Sequence, residues 1–336
     1  MNKNDQKYEL TIIMSNYNQE KVISKAIDSV FAQIVNFRFK LIITDDYSCE
    51  DKSIEIIKSY AKKHDNIEMI LSCNNGGYLT NILRAKENVK TKYFCLLDAD
   101  DYWTDRYFLQ RAYDFLNTHG EYAIYEANVM IIAEDKDGNT KFTRPMIPSR
   151  HKSGTYSKTM FLNNENVPIT QTTGMFFRNT IFIDGIPGIM KDAIKTRSER
   201  SFEGDTGRFI MHLKTGLAYY DKRVVGVYRL TEKGIWSGLA NSKQYLISAR
   251  MYLDYYKYYN SNVQFFVTKS YRHLQNYLFE KQKELIDLNR ENGFIDDEER
   301  LMVEDVYLFC KRYENEINKE KCYVSKLKRI IKMIRI

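Results

Sequence analysis

Short apolar runs alternate with amphipathic stretches over the first 120 residues of the chain. Four runs have the length and β-branched content of strands, at 8–14, 39–44, 67–71 and 93–97. Three stretches between them repeat apolar residues at helical spacing, at about 20–32, 53–63 and 79–88. Strands that alternate with helices predict βαβ units and a mostly parallel sheet. Ligands bind such sheets at the carboxyl ends of the strands.

The pattern is less regular after residue 120. Further strands are predicted at 121–132, 172–177 and 223–230, around a loop-rich region at about 144–200. From about residue 239 to its end the chain is predicted to be helical. We therefore expect an α/β body over residues 1–235, with halves at about 1–120 and 121–235, and a helical C-terminal region over 236–336.

Composition limits the class of protein. The 336 residues are 43% hydrophobic and 14% aromatic, which argues against wholesale disorder. No apolar run approaches the roughly 20 residues that span a bilayer, and the start of the chain lacks a secretory signal. The five cysteines form no CxxC pair, which argues against structural zinc and a disulfide framework. These features predict a cytoplasmic protein.

Positive charge is concentrated at the C-terminus. Residues 311–336 hold nine Lys or Arg and three Glu, so +6 of the net charge of +7 lies there. The remainder is too balanced for a nucleic-acid-binding surface, and no nucleic-acid partner is expected. Within 324–336, apolar residues recur at i, i+3, i+4 and i+7 from Leu327, surrounded by basic residues. This pattern predicts a helix on the anionic inner face of a membrane, with packing on the protein itself as the alternative.

Acidic residues follow the second and fourth predicted strands. Asp45 and Asp46 end the second strand, and Asp98, Asp100 and Asp101 follow the fourth. Because the carboxyl ends of parallel strands share one edge, these carboxylates are expected to lie close together and to need a cation. Hard oxygen ligands suit Mg²⁺ or Mn²⁺, which bridge the oxygens of a nucleoside diphosphate. Capping of the following helices is the alternative role for acids at such positions.

Several separated motifs, in order and spacing, resemble the family 2 glycosyltransferases of the GT-A fold. The motifs within residues 8–120 are IIMSNYNQEKVISKAIDSVFAQ, IITDDYSCEDKS, NNGG and YFCLLDADDYW, and weaker matches are TTGMFFRN, FEGDTGRF and VVGVYRLTEKGIWSG. The resemblance implies a Rossmann-like, mostly parallel sheet flanked by helices. It also implies an inverting hexosyl- or N-acetylhexosaminyltransferase that uses a nucleotide sugar, with UDP as the expected nucleotide and Mn²⁺ or Mg²⁺ as cofactor. The implied acceptor is a glycan or lipid-linked saccharide in surface polysaccharide biosynthesis.

The same resemblance implies roles for individual residues. Tyr17 and Asp46 would contact the base of the donor nucleotide. Asp98 would contact the ribose, and Asp100 together with Asp98 would hold the metal on the diphosphate. Asp205 corresponds to the catalytic base of the family, which takes a proton from the acceptor hydroxyl.

Three points stay open from the residues alone. Arg229 and Lys233 would close over the diphosphate, or they are solvated loop charges. The chain has Thr80 and Asn81 after the glycine turn, where the family usually has Arg-Asn. The family often shows Glu-Asp at the base position, and this chain has Glu203-Gly204-Asp205; we favour Asp205, with Glu203 as the alternative.

Other functions were weighed against glycosyl transfer. An inactive membrane-associated scaffold of the same fold is disfavoured because Asp46, Asp98, Asp100 and Asp205 are all retained. A sugar nucleotidyltransferase usually has a Gly-rich phosphate loop after its first strand, where this chain has SNYNQE. The Tyr-rich helices after residue 239 are predicted to pack on the body or to form a homodimer.

Overall fold

The computed structural model describes residues 8–135, 139–195, 202, 204–230, 234–287 and 296–317. Its strands are β1 Leu10–Asn16, β2 Phe39–Asp45, β3 Ile67–Leu71, β4 Tyr93–Leu96, β5 Tyr102–Trp103, β6 Tyr122–Glu134, β7 Thr140–Pro145, β8 Gly154–Tyr156, β9 Met175–Arg178 and β10 Leu217–Leu230. Its helices are α1 Ile23–Phe31, α2 Ser53–Ala61, α3 Tyr78–Lys86, α4 Phe108–Thr118, α5 Lys158–Leu162, α6 Gly188–Lys195, α7 Asp205–Leu213, α8 Asn241–Tyr259, α9 Val263–Asp287 and α10 Asp297–Arg312. The predicted membrane helix at 324–336 lies outside the described residues.

The strands form one sheet in the order β3-β2-β1-β4-β9-β6-β10-β5, with β7 beside β6 and β8 beside β10. β3, β2, β1 and β4 pair in parallel with one another, as the alternation of strands and helices predicted. β9 runs antiparallel between β4 and β6, and β6 pairs in parallel with β10. The predicted α/β fold with a central sheet is confirmed, but the sheet is mixed rather than mostly parallel, because β5, β7, β8 and β9 all pair antiparallel with their neighbours.

Helices cover both faces of the sheet. The apolar side chains of α1, α2 and α4 pack on one face, and those of α3 and α5–α10 pack on the other. Leu246 of α8, Phe266 of α9 and Val306 of α10 belong to the same buried core as Phe94 and Phe177 of the sheet. The predicted C-terminal helices are therefore present, and they share one core with the α/β body.

The loop-rich region contains more structure than the sequence pattern indicated. α5, α6 and β8 all lie within the stretch predicted to be loops. The strand predicted at 172–177 instead begins with a 3₁₀ turn at Thr172–Gly174, and β9 starts only at Met175. Of the helices in the described ranges, none combines the length and apolar character that crossing a bilayer requires.

Candidate active site

Three parallel strands bring their carboxyl ends to one edge of the sheet. β2, β1 and β4 are neighbours in that order. The acidic segments that follow β2 and β4 therefore lie on either side of the end of β1, which agrees with the prediction. This edge is where ligands bind in open α/β sheets.

Asp45 joins the loops that follow β1 and β2. It is fully buried and accepts hydrogen bonds from Asn16 Nδ2 at 2.6 Å and from the amide and hydroxyl of Ser48 at 2.8 and 2.6 Å. The Ser48 hydroxyl in turn accepts a 2.8 Å bond from the amide of Asn18. Tyr17 lies between these anchored residues, and 43% of its surface is exposed. The aromatic ring predicted to meet the base is thus presented to solvent by a firmly held loop.

Asp46 is the next residue, but its hydrogen-bond partners differ from those of Asp45. Its two carboxylate oxygens accept hydrogen bonds from the amides of Gly76 at 3.0 Å and Gly77 at 2.7 Å. Arg84 Nη1 donates to the same carboxylate at 3.2 Å. Gly77 has a φ of +83°, which side chains other than glycine rarely adopt. The glycine turn therefore brings two amides to Asp46, and the loops that precede α2 and α3 are tied together at this carboxylate.

Asp98 and Asp100, which follow β4, are two carboxylates whose negative charges oppose each other. Burial, followed by the negative charge of Asp100, raises the pKa of Asp98 to about 7. Burial also raises the pKa of Asp100, while the positive charge of Arg229 opposes that change. A divalent cation would relieve the cost of keeping both carboxylates ionised.

The two acids fit a metal that is shared with a substrate. Within the described ranges, no group of three or more His, Cys, Asp or Glu side chains is arranged to hold an ion by itself. Mg²⁺ is commonly held by one or two carboxylates together with substrate phosphates rather than by a cage of protein ligands. Asp98 and Asp100 supply the hard oxygen atoms that such a site needs.

Asp101 has a structural role. It is buried and accepts hydrogen bonds from Thr173 Oγ1 at 2.5 Å and from the amide of Arg229 at 2.9 Å. Burial, followed by the charges of Asp100 and Asp98, raises its pKa well above the ordinary value. Asp101 therefore connects the segment before β9 with the end of β10.

Residues 170–173, which we call the threonine segment, link the two halves of the site. All four are buried although all four are polar: Thr170, Gln171, Thr172 and Thr173. The indole Nε1 of Trp103 donates a 2.8 Å bond to the carbonyl of Thr173. The amide of Thr173 donates to Gln171 Oε1 at 2.7 Å. The sequence prediction assigned part of this segment to a strand and missed its role, because its partners are remote in sequence.

Asp205, the predicted base, is the first residue of α7, where a negative charge suits the helix dipole. The amide of Thr172 donates to Asp205 Oδ1 at 2.9 Å, and the Thr172 hydroxyl donates to the same oxygen. Arg208 Nη2, on a side chain that is only 2% exposed, reaches Asp205 Oδ1 at 3.1 Å. Among the described residues, the hydrogen bonds to this carboxylate all end on Oδ1, and Oδ2 is left to accept a proton.

Four carboxylates act electrostatically on Tyr228 of β10. Burial raises the pKa of Tyr228, and the charges of Asp205, Asp101, Asp100 and Asp98 raise it further. The charge of Asp205 also contributes to the raised pKa of Asp98. The predicted metal-binding acids and the predicted base therefore all influence one tyrosine electrostatically, which the sequence prediction did not identify.

Arg229, predicted to bind the diphosphate, lies beside these acids but has a partner. Its Nε donates to Glu134 Oε1 at 3.2 Å and its Nη2 donates to Oε2 at 2.9 Å. This fork-shaped pair is of the strong bidentate kind. Lys233, proposed as a second lid residue, and Glu203, the alternative base, lie outside the described residues.

An α/β sheet with acids at the end of β4 and an acid at the start of α7 is the architecture of a GT-A glycosyltransferase. The family model for glycosyl transferase family 2 matches residues 11–185, more than half of the chain. The chain therefore belongs to this family.

Curated relatives match over part of their length. The chain is 29% identical over 179 residues to an uncharacterised glycosyltransferase of Mycoplasma pneumoniae, covering 52% of this chain and 55% of that protein. It is 30% identical over 152 residues to the minor teichoic acid biosynthesis protein GgaB of Bacillus subtilis, covering 44% of this chain and 17% of GgaB. The chain thus spans about half or less of the length of these relatives.

Solved structures share the fold. Residues 1–349 of TarS from S. aureus, crystallised with UDP, superpose with a TM-score of 0.58 over 97% of this chain and 89% of that chain. The same TarS fragment with UDP-GlcNAc gives the same TM-score at 15% identity. At this identity the likeness shows the fold alone.

Proposed function

We propose that the protein transfers a sugar from a UDP-sugar to a hydroxyl group of a cell-surface glycan or lipid-linked saccharide, with inversion at the anomeric carbon. The observation that carries this proposal is the short hydrogen-bonded path from Asp205 through Thr172 and Thr173 to Asp101, the residue that follows Asp100. UDP as the nucleotide is supported by the TarS complexes. An acceptor of the teichoic acid kind is supported by the similarity to GgaB.

The donor is proposed to bind at the ends of β1, β2 and β4. Tyr17 would stack on the base and Asp46 would accept a hydrogen bond from it, while Asp98 would contact the ribose. Asp100, with Asp98, would hold Mn²⁺ or Mg²⁺, which when bound neutralises the charge that develops on the leaving diphosphate. Arg229 would add a second positive charge beside the diphosphate. To do so, its guanidinium must leave its ion pair with Glu134 and bind the phosphate instead.

Asp205 is proposed to act as the base. Inversion requires the acceptor hydroxyl to attack from the side opposite the diphosphate, so the base must lie across the sugar from the metal. The two bonds from Thr172 and the one from Arg208 fix Oδ1 of Asp205. Oδ2 then takes the proton from the attacking hydroxyl, an effect that typically contributes 10²–10⁴ in rate.

The proposal is tested by a thermal-shift screen of nucleotide sugars with Mn²⁺, followed by measurement of UDP release from the donors that bind. We expect UDP-sugars to stabilise the protein and NMR of the product to show an inverted anomeric centre. Stabilisation by GDP-sugars alone would contradict the nucleotide assignment. A retained anomeric configuration would contradict inversion.

Two further proposals concern partners. The basic segment 324–336 is proposed to hold the protein on the cytoplasmic face of an anionic membrane, on the strength of its charge and apolar stripe.

The tyrosine-rich C-terminal helices are proposed to form a homodimer. The exposed Phe279, Leu301 and Leu308 on α9 and α10 support such a contact. Sedimentation equilibrium tests it, and a monomer at micromolar concentration would contradict it.

A further inference from the structure

A carboxylic acid that takes no part in the proposed chemistry is buried inside the sheet. Glu126 lies in the middle of β6 with no exposed surface, and its Oε2 accepts a 3.1 Å hydrogen bond from the amide of Thr170. Its register partner on β10 is Tyr220, which is also fully buried. In the described part of the chain, neither Glu126 Oε1 nor the Tyr220 hydroxyl has a hydrogen-bond partner. Burying polar atoms without hydrogen-bond partners costs free energy of folding, so the presence of Glu126 and Tyr220 at these positions needs an explanation.

Thr170 is the first residue of the threonine segment, whose last residues support the proposed site. Thr172 holds Asp205, and Thr173 holds Asp101. At the far end of the segment, a Cβ added to Gly174 would lie 2.2 Å from the carbonyl oxygen of Ala127, so the backbone is pressed against β6 there. Glu126 provides the corresponding restraint at the near end.

We propose that Glu126 is a positioning residue for glycosyl transfer: by fixing the Thr170 amide, it sets the place of the threonine segment and hence the orientation of the Asp205 carboxylate. The inference rests on the proposed function, because it takes Asp205 as the base. Loss of the Glu126 contact leaves the Thr170 end of the segment less restrained than the end at Thr173 and Gly174. Misplacement of a catalytic group by about 1 Å can cost as much as 10²-fold in rate.

Glu126 acts as a neutral group. Burial raises its pKa to about 8, so the side chain carries its proton at neutral pH and both accepts from Thr170 and keeps a donor. The titratable groups that face it are Tyr156 of β8 and Tyr220 of β10, with Asp221 beside Tyr220, and burial raises the pKa of both tyrosines. Above pH 8 the side chain loses the proton that it could donate and places a negative charge against the segment, where the hydrogen bonds from Thr170 offset only part of the cost of burial.

Two substitutions at one position separate positioning from mere stability. Glu126→Gln keeps an oxygen for the Thr170 amide and stays neutral at every pH, so we expect its kcat at pH 7 to lie within about twofold of the wild type. Glu126→Met keeps the volume and removes the acceptor, so we expect kcat to fall by about 10- to 100-fold. Because the donor site is untouched, the donor KM and the Kd for UDP should change by less than twofold.

The pH profile supplies an independent readout. We expect kcat for UDP release to decline above pH 8 in the wild type and to stay level in Glu126→Gln. Glu121→Gln, which alters an exposed acid just before β6, is the matched control and should behave as the wild type.

Different failures are distinguishable. A fully active Asp205→Asn variant overturns the base assignment in the proposed function. An inactive Asp205→Asn variant together with wild-type kcat in Glu126→Met overturns the positioning role alone. If Glu126→Met does not fold, the pH profiles of the wild type and Glu126→Gln decide: identical alkaline limbs overturn the proposal.

Discussion

Replacing Asp205 by asparagine separates the proposed base from its surroundings. The side-chain oxygen of asparagine can accept the same bonds that Asp205 Oδ1 receives, from the amide of Thr172 at 2.9 Å, from the Thr172 hydroxyl and from Arg208 Nη2 at 3.1 Å. The amide nitrogen then takes the place of Oδ2 and accepts no proton. The substitution therefore keeps the geometry of the site and removes its basicity.

The size of the effect follows from these contacts. Loss of the base should lower kcat by 10²–10⁴, which corresponds to about 2.7–5.4 kcal/mol of activation free energy. The Kd for UDP should stay within about twofold, because Asp205 lies outside the proposed base and metal contacts. Stability should fall by about 1–3 kcal/mol, because the buried Arg208 guanidinium exchanges a charged acceptor for a neutral one.

The assay is UDP release under saturating donor and Mn²⁺, with UDP affinity measured by calorimetry on the same samples. Asp184→Asn, a change of an exposed acid in the same half of the chain, is the matched control and should keep full activity. An Asp205→Asn variant with more than a tenth of wild-type kcat would refute the reasoning. Loss of turnover in Glu203→Gln beside an active Asp205→Asn would place the base two residues earlier.

Three further outcomes are expected. Asp100→Asn should weaken Mn²⁺-dependent UDP binding at least tenfold in calorimetry; equal, EDTA-insensitive affinities of variant and wild type would exclude a metal role. The pKa of Asp98 is raised to about 7, and a metal binds the ionised carboxylate. Mn²⁺-dependent UDP affinity should therefore fall by up to about tenfold from pH 8 to pH 6. An affinity that does not change with pH would contradict this. Ending the chain at Tyr323 should abolish sedimentation with anionic liposomes while UDP release persists; a truncated protein that still sediments, or that unfolds, would assign the tail to the fold.

The fold of residues 1–120 could be predicted because its signals are local. The strand predicted at 67–71 matches β3, and β1, β2 and β4 begin or end within two residues of their predictions. α4 was missed although Phe108, Leu109, Ala112 and Leu116 lie buried on one side of it. This helix follows the acidic segment closely, and its 3.6-residue period of apolar residues was not identified from the sequence.

The roles of neighbouring acids could not be predicted, because they depend on contacts between distant parts of the chain. Asp45 and Asp46 look alike in sequence, yet one accepts hydrogen bonds from Asn16 and Ser48 and the other from the amides of the glycine turn. Asp101 looks like a third member of the metal-binding run, yet its donor is Thr173, 72 residues away. Hydropathy and spacing carry no information about such pairings.

The threonine segment shows why a polar stretch can be the most constrained part of a site. A buried apolar residue is held by contacts that tolerate small shifts, whereas the hydroxyls of Thr172 and Thr173 are held by directional hydrogen bonds. Thr172 and Thr173 are adjacent, so the support of Asp205 and the support of Asp101 share one short piece of backbone. Asp101 follows the two proposed metal-binding acids directly. The spacing between the proposed metal site and the proposed base therefore depends on this piece of backbone as well as on α7, which carries Asp205.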